Sequence, residues 1–137
     1  MKPVLSLETA KLVLKAAEEE ADKMGIAVAI AVTDDKGDLI NFIRKDNTTY
    51  AAVDIAQKKA LHAAMYRRDT LFHEKLLTEN DLLPVLSLPY SMLVEGGIQL
   101  IYKDTVVGAI GVSGSSSDKD GMVAKKGLEA FNKLITE

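Results

Sequence analysis

The chain has no cysteine and no tryptophan in 137 residues, and only three prolines. Without cysteine there is no disulfide, no thiolate metal centre, no thiol nucleophile and no cysteine-ligated haem, and the absence is compatible with any compartment. Aromatic residues are 5% of the total, and 17 basic against 20 acidic residues leave a formal charge of −3 with no basic tract. A nucleic-acid partner is therefore not expected. No apolar run approaches the length that spans a bilayer. The opening MKPVLSLETAKLVLKAAEEEADKMG has a charge every few residues where a secretory leader would have an unbroken apolar core. The expectation is a cytoplasmic protein with no membrane association. Also missing are a G-x-S-x-G elbow, an H-E-x-x-H helix, a G-x-G-x-x-G fingerprint and a Walker A loop. Enzymatic catalysis has no positive support in the sequence.

What is present is an ordinary globular composition, 47% hydrophobic and 27% charged, in a length that suits one domain over residues 1–137. Leu7, Ala10, Leu14, Ala17, Ala21 and Met24 fall on one helical stripe, with Ser6 placed to cap its start and Gly25 to close its end. Ile26 to Val32 alternates branched residues with alanine and reads as a strand covered on both faces. Asp34-Asp35-Lys36-Gly37 turns the chain, Asp34 and Asp35 serving the turn, and Asp38 to Arg44 returns it as a hairpin. Asn47 or Thr48 can cap a second helix, from about Tyr50 to Tyr66, whose stripe of Ala52, Ile55, Ala56, Ala60, Ala63 and Ala64 suits close packing on a sheet. A short helix over Leu71 to Leu77 leads to an irregular connection, Asn80 to Tyr90. A short strand, Met92 to Val94, a second hairpin of Ile98 to Tyr102 and Thr105 to Ser113, and a last helix from about Lys119 to Ile135 complete the order. Helices alternating with hairpins argue an antiparallel sheet with helices packed on it.

The stretch from Gly96 to Phe131 is the most distinctive. It holds Gly96-Gly97, then Gly108, Gly111 and Gly114 at every third position, a serine cluster and an amphipathic helix. Glycine within a strand leaves bare backbone, which suits a bulge, a neighbouring chain or a ligand lying on the strand; the alternative is that it only relieves crowding under a helix. The turn Ser113-Gly114-Ser115 leads into a helix N-terminus, where exposed amides attract anions. Arg44 and Asp46 flank the junction of the second strand and second helix. There the guanidinium can clamp a carboxylate or phosphate, or the two can form an ordinary salt bridge. The candidate ligand-binding set is thus Arg44, Asp46, Gly96, Gly97, Gly111, Ser113, Gly114 and Ser115. The two histidines, His62 and His73, form no metal spacing. His62 follows Lys58 and Asp54 at four-residue intervals, so it is expected on the polar edge of its helix, in a solvated or interfacial role; haem needs only one or two axial donors, so both stand as weak haem-ligand candidates.

LETAKLVLKAAEEEADKMGIAVAIAVTDDKGDLINFIRKD, IAQKKALHAAM, and the double glycine followed by VVGAIGVSGSSSDKDGMVAKKGLEAF together resemble the GlcG/HbpS-like family, once a domain of unknown function and now called haem-degrading. The resemblance implies a profilin-like, three-layer α/β (α+β) fold, with a five-stranded antiparallel sheet flanked by helices, assembled as a homo-oligomer. Its members include haem-binding redox sensors, products encoded beside glycolate, glycerol or propanediol utilisation genes, and the C-terminal domain of a propanediol-type cobalamin adenosyltransferase. The chain departs from the family pattern at Ile98-Gln99, at His62 where threonine is common, and at Lys45 between Arg44 and Asp46; its first helix carries no histidine. The function so implied is accessory binding of a small ligand or tetrapyrrole, haem or a corrinoid, in diol, glycerol or glycolate metabolism. The rival readings are an oligomeric assembly protein without ligand and a haem-degrading enzyme.

Overall fold

A computed structural model describes residues 3–135. Helix α1 spans Leu7–Met24. Ser6 Oγ accepts the Thr9 amide hydrogen, and Gly25, in the left-handed region at φ 67°, returns its amide to Ala21 and Asp22. Both local signals in the sequence act as expected. Strands β1 (Ala29–Asp34) and β2 (Leu39–Arg44) form the first hairpin. Its turn is tied by Asp34 Oδ1, which accepts the amides of Lys36 and Asp38, both at 2.9 Å. Helices α2 (Tyr50–Tyr66) and α3 (Thr70–Thr78) follow, then a 3₁₀ turn at Leu83–Ser87. Strands β3 (Gly97–Tyr102) and β4 (Thr105–Ser113) make the second hairpin, and α4 (Ser117–Ile135) ends the described chain.

The sheet is antiparallel in the order β2-β1-β4-β3. It has four strands among the described residues, not five. Met92 to Val94, read from sequence as a strand, joins no sheet; two of its amides and that of the next residue are taken elsewhere. Met92 N–H donates to His62 Nδ1, Val94 N–H to Met92 O, and Glu95 N–H to a Glu74 carboxylate oxygen. Two further boundaries move. Thr49, not Asn47 or Thr48, precedes α2, and it provides no side-chain cap. Helix α4 begins at Ser117 instead of Lys119.

The two faces of the sheet differ in grain. One buries large aliphatic residues, Val28, Ile30, Val32, Leu100, Ile110 and Val112 among them, against α1 and α4. The other is a carpet of alanine and glycine on which α2 lies, joining Ala29, Ala31 and Ala109 to Ala52, Ala56, Ala60 and Ala63. Alternating side chains along each strand assign branched residues to one face and small ones to the other. Small residues allow the backbone of α2 to approach the sheet closely.

Candidate functional site

The glycines are occupied by the protein itself. A β-carbon on Gly111 would strike Ala56 O and lie 2.6 Å from Ala60 N; one on Gly97 would strike Lys59 O and lie 2.7 Å from Thr70 Cγ2; one on Gly96 would lie 2.6 Å from Val112 O and 2.8 Å from Lys59 Nζ. All three are buried beneath α2 and its neighbours. The face that a side chain would occupy at Gly96, Gly97 and Gly111 is therefore filled by this chain's own α2, Thr70 and Val112. Of the readings the sequence left open, relief of crowding under a helix is the one realised. Gly114, at φ 144°, lies against Ala27 O and Val28 Cα, where a side chain would collide.

The other candidates gather at one end of the sheet. Arg44 pairs with Ala29, and Ala29 pairs with Ser113. The three form one row, with Arg44 and Ser113 two strand spacings apart, about 10 Å. Asp46 lies just beyond Arg44, and Gly114 and Ser115 just beyond Ser113. Arg44 and Asp46 are exposed and form no salt bridge with each other. Lys45 between them is committed to α1, at 2.7 Å from Glu18 and 3.3 Å from Asp22. The uncapped first turn of α2 opens beside them, and residues 44–50 line a hollow of about 590 Å³. A second hollow, about 400 Å³, lies between Arg44 to Asp46 and the end of α1 at Asp22 and Gly25.

The turn at Ser115 is held from inside by two residues that sequence reasoning passed over. Asp120 Oδ1 accepts the Ser115 amide at 3.0 Å, and Oδ2 lies 3.3 Å from Lys59 Nζ, which also donates to Val112 O at 2.8 Å. Lys59 is 1% exposed and Asp120 2%. Burial lowers the lysine's pKa and raises the aspartate's, each opposed by attraction to the other. A signal was present: Lys59 falls on the stripe of Ala52, Ala56, Ala60 and Ala63, where an exposed lysine has no place.

The histidines are also placed differently from the sequence reading. His62 is fully buried, not on a solvated edge, and His73 is 8% exposed. His62 Nε2 lies 3.0 Å from His73 Nδ1, while His62 Nδ1 accepts the Met92 amide at 2.9 Å. Burial, then the neighbouring His73, lowers the pKa of His62 to about 4; burial, then Arg68, lowers that of His73. Met92 and His73 take both nitrogens of His62, and because His73 Nδ1 then accepts from His62 Nε2, the remaining His73 Nε2 carries that ring's proton, so the neutral pair offers no free lone pair to an iron. It lies twelve residues along α2 from Tyr50, roughly 18 Å from the hollow at the helix start. Among the described residues, no three His, Asp or Glu side chains gather to hold a metal ion, and no helix is long and apolar enough to cross a membrane.

Comparisons with known proteins agree with this architecture. Protein GlcG of Escherichia coli strain K12 is 36% identical over 112 residues, spanning 82% of this chain and 83% of that protein. The crystal structure of a double mutant of Streptomyces reticuli HbpS superposes with a TM-score of 0.85 at 31% identity, covering 94% of this chain and 88% of the other. The crystal structure of a PduOC haem complex superposes with a TM-score of 0.84, covering 93% and 95%, at 21% identity, a likeness of fold. The family model described as haem degrading protein HbpS-like matches residues 5–129. Matched across nearly its whole length, the chain belongs to the haem-degrading HbpS-like family.

Proposed function

We propose that this protein is an accessory, non-catalytic binder of a tetrapyrrole, haem or a corrinoid, acting in diol, glycerol or glycolate metabolism. The observation that carries the reading is Arg44, exposed and without an ion pair among the described residues, beside the start of α2, which has no side-chain cap, on a hollow of about 590 Å³. A guanidinium and free helix amides together suit an anionic group, whether a haem propionate or the phosphate of a corrinoid. Asp46, Ser113, Gly114 and Ser115 border the same end of the sheet. Family membership supports the tetrapyrrole. The residues present fit its anionic groups, and His62 and His73 take no part in holding its metal. When bound, the group supplies its own metal chemistry; Arg44 and the α2 amides hold and orient its acidic side chains.

Titration with haemin and with a corrinoid, followed by absorbance and calorimetry, tests this reading. Saturable binding of one of them is expected, weakened about tenfold or more by Arg44→Ala, since a charge-assisted hydrogen bond contributes roughly 1.5–3 kcal/mol. No saturable binding of either overturns the ligand, and equal affinity of wild type and variant overturns the site. Bound haem is expected to lose its Soret band in peroxide no faster than free haem; a faster loss supports the enzymatic reading instead. We also read the protein as a homo-oligomer, for which light scattering at micromolar concentration is the measurement.

A further inference from the structure

The buried pair of His62 and His73 can be read proton by proton. Two neutral imidazoles carry two ring protons on four nitrogens. His62 Nδ1 accepts the Met92 amide, so it has no proton, and the proton of His62 is on Nε2. That proton points at His73 Nδ1, 3.0 Å away, which must therefore be the acceptor and leave the second proton on His73 Nε2. The arrangement is the only one that satisfies both hydrogen bonds. It has no room for a third proton.

We propose that the two histidines form an acid-operated latch that ties the segment around Met92 to helices α2 and α3 and releases it when the pair takes up a proton. The proton enters at His73, the less buried ring. Its Nδ1 then becomes a donor toward His62 Nε2, and His62 must move its own proton to Nδ1. There it meets the Met92 N–H head on, so a proton bound on α3 is read out as the loss of a hydrogen bond on the 88–94 segment. A proton placed directly on His62 has the same result, because a doubly protonated ring has no lone pair for Met92.

The surroundings favour this neutral, ordered state at neutral pH. From α2, the Tyr66 ring lies 5.0 Å from His62 and 5.2 Å from His73 between centroids, and its hydroxyl donates to Pro89 O. From α3, the Phe72 ring packs edge-on against His73, and Arg68, in the link before that helix, adds positive charge beside it. The carboxylate of Glu74 is turned to the Glu95 amide. Residues 82 to 94 include no ionisable side chain except Tyr90, so the released segment has no counter-charge with which to follow the cation. Its exposed Leu83, Leu86 and Tyr90 are anchored by the buried Val85. The latch is independent of the ligand reading above.

NMR of the full chain tests the latch, since only two histidines contribute imidazole signals. At pH 7 both rings are expected to carry their proton on Nε2. From pH 7 to 4, the hydrogen-exchange protection of the Met92 amide, corrected for intrinsic exchange, is expected to fall by up to about tenfold per pH unit as the rings titrate. Ile110, in the middle of β4, stays protected. His73→Gln supplies a carbonyl that accepts from His62 but binds no proton, so Met92 remains protected at pH 7 and its loss shifts to lower pH. An Nδ1-protonated His62 at pH 7, or a Met92 protection that stays constant while the rings titrate, overturns the proposal, and both measurements use the wild type alone. A variant that titrates as the wild type does would also overturn it.

Discussion

Gly111→Ala offers a sharp test of how the sheet and α2 are joined. Gly111 occupies the central strand β4, paired with Ala31 on one side and Gly97 on the other. Its strand conformation suits alanine, so any cost must come from space. The new methyl would strike Ala56 O and sit 2.6 Å from Ala60 N and 3.1 Å from Ala60 Cβ. Restoring ordinary contact, near 3.4 Å, requires α2 to retreat by about 0.8 Å at Ala60 and by more at Ala56, whose carbonyl oxygen is the nearer atom. The two nearest atoms are helix backbone, which has no rotamer to change. Overpacking typically costs about 1–3 kcal/mol, and the upper end applies where backbone must move. Removing a flexible glycine from a strand offsets about 0.5–1 kcal/mol. The net loss is about 2–2.5 kcal/mol, which for a domain of this length lowers Tm by roughly 8 °C.

Thermal and urea unfolding followed by circular dichroism measure that loss. Adding Ala60→Gly to Gly111→Ala removes the contact at 3.1 Å but leaves the two backbone contacts, so it should recover only a minor part. Full recovery would show that α2 yields more readily than its backbone contacts imply. A single variant within about 0.5 kcal/mol of wild type would refute the reasoning outright. A glycine kept for a ligand or a second subunit gives the opposite pattern, with unaltered monomer stability and a loss confined to binding or assembly.

Three other outcomes follow from the same geometry. Ser6→Ala removes the oxygen that accepts the Thr9 amide at 3.1 Å, and should cost about 1 kcal/mol in urea unfolding. Lys59→Met leaves Asp120 buried with only amide donors. It should cost about 3–5 kcal/mol, and a loss below 1 kcal/mol would mean that the pair is dispensable. Because His62 takes its proton near pH 4 in the fold and near 6.5 when unfolded, its stabilisation is complete above about pH 6.5. It is lost as the pH falls toward 4, amounting to about 2.5 kcal/mol at pH 4.5; a urea midpoint that holds level between pH 6.5 and 4.5 would contradict this.

Elements whose cause is local were legible in the sequence. Helix α1 declares itself through one stripe and two end signals, Ser6 and Gly25, all within twenty residues. The hairpin turn at Asp34 to Gly37 likewise depends on one side chain bonding its own neighbours. The strand expected at Met92 to Val94 is absent: the Met92 amide is claimed by His62, thirty positions earlier, and the Val94 amide by Met92, while Glu74 takes the amide of Glu95, the next residue. Apolar residues in a short run look alike whether a strand or a histidine takes their hydrogen bonds.

The candidate site was legible in part, and its errors share one physical origin. Arg44, Asp46 and Ser113 to Ser115 do gather at one end of the sheet, because strand register alone brings them into a row. The double glycine was read as bare because the helix that covers it lies some forty residues earlier. Lys59 was missed, and His62 was expected on a solvated edge, for the complementary reason. A buried polar side chain is defined by its partner, and theirs are Asp120 and Val112 for the lysine, His73 and Met92 for the histidine. Such a residue leaves one trace in sequence, a polar letter on an otherwise alanine stripe. On α2 that trace has an energetic meaning: a helix pressed against glycine backbone has little apolar area with which to stay in place, and Lys59 and His62 supply directional bonds where larger side chains would not fit. The closeness that the glycines permit is what puts the lysine within reach of Val112 O and Asp120, so Gly96, Gly97 and Gly111 act as parts of the same joint as the buried ions.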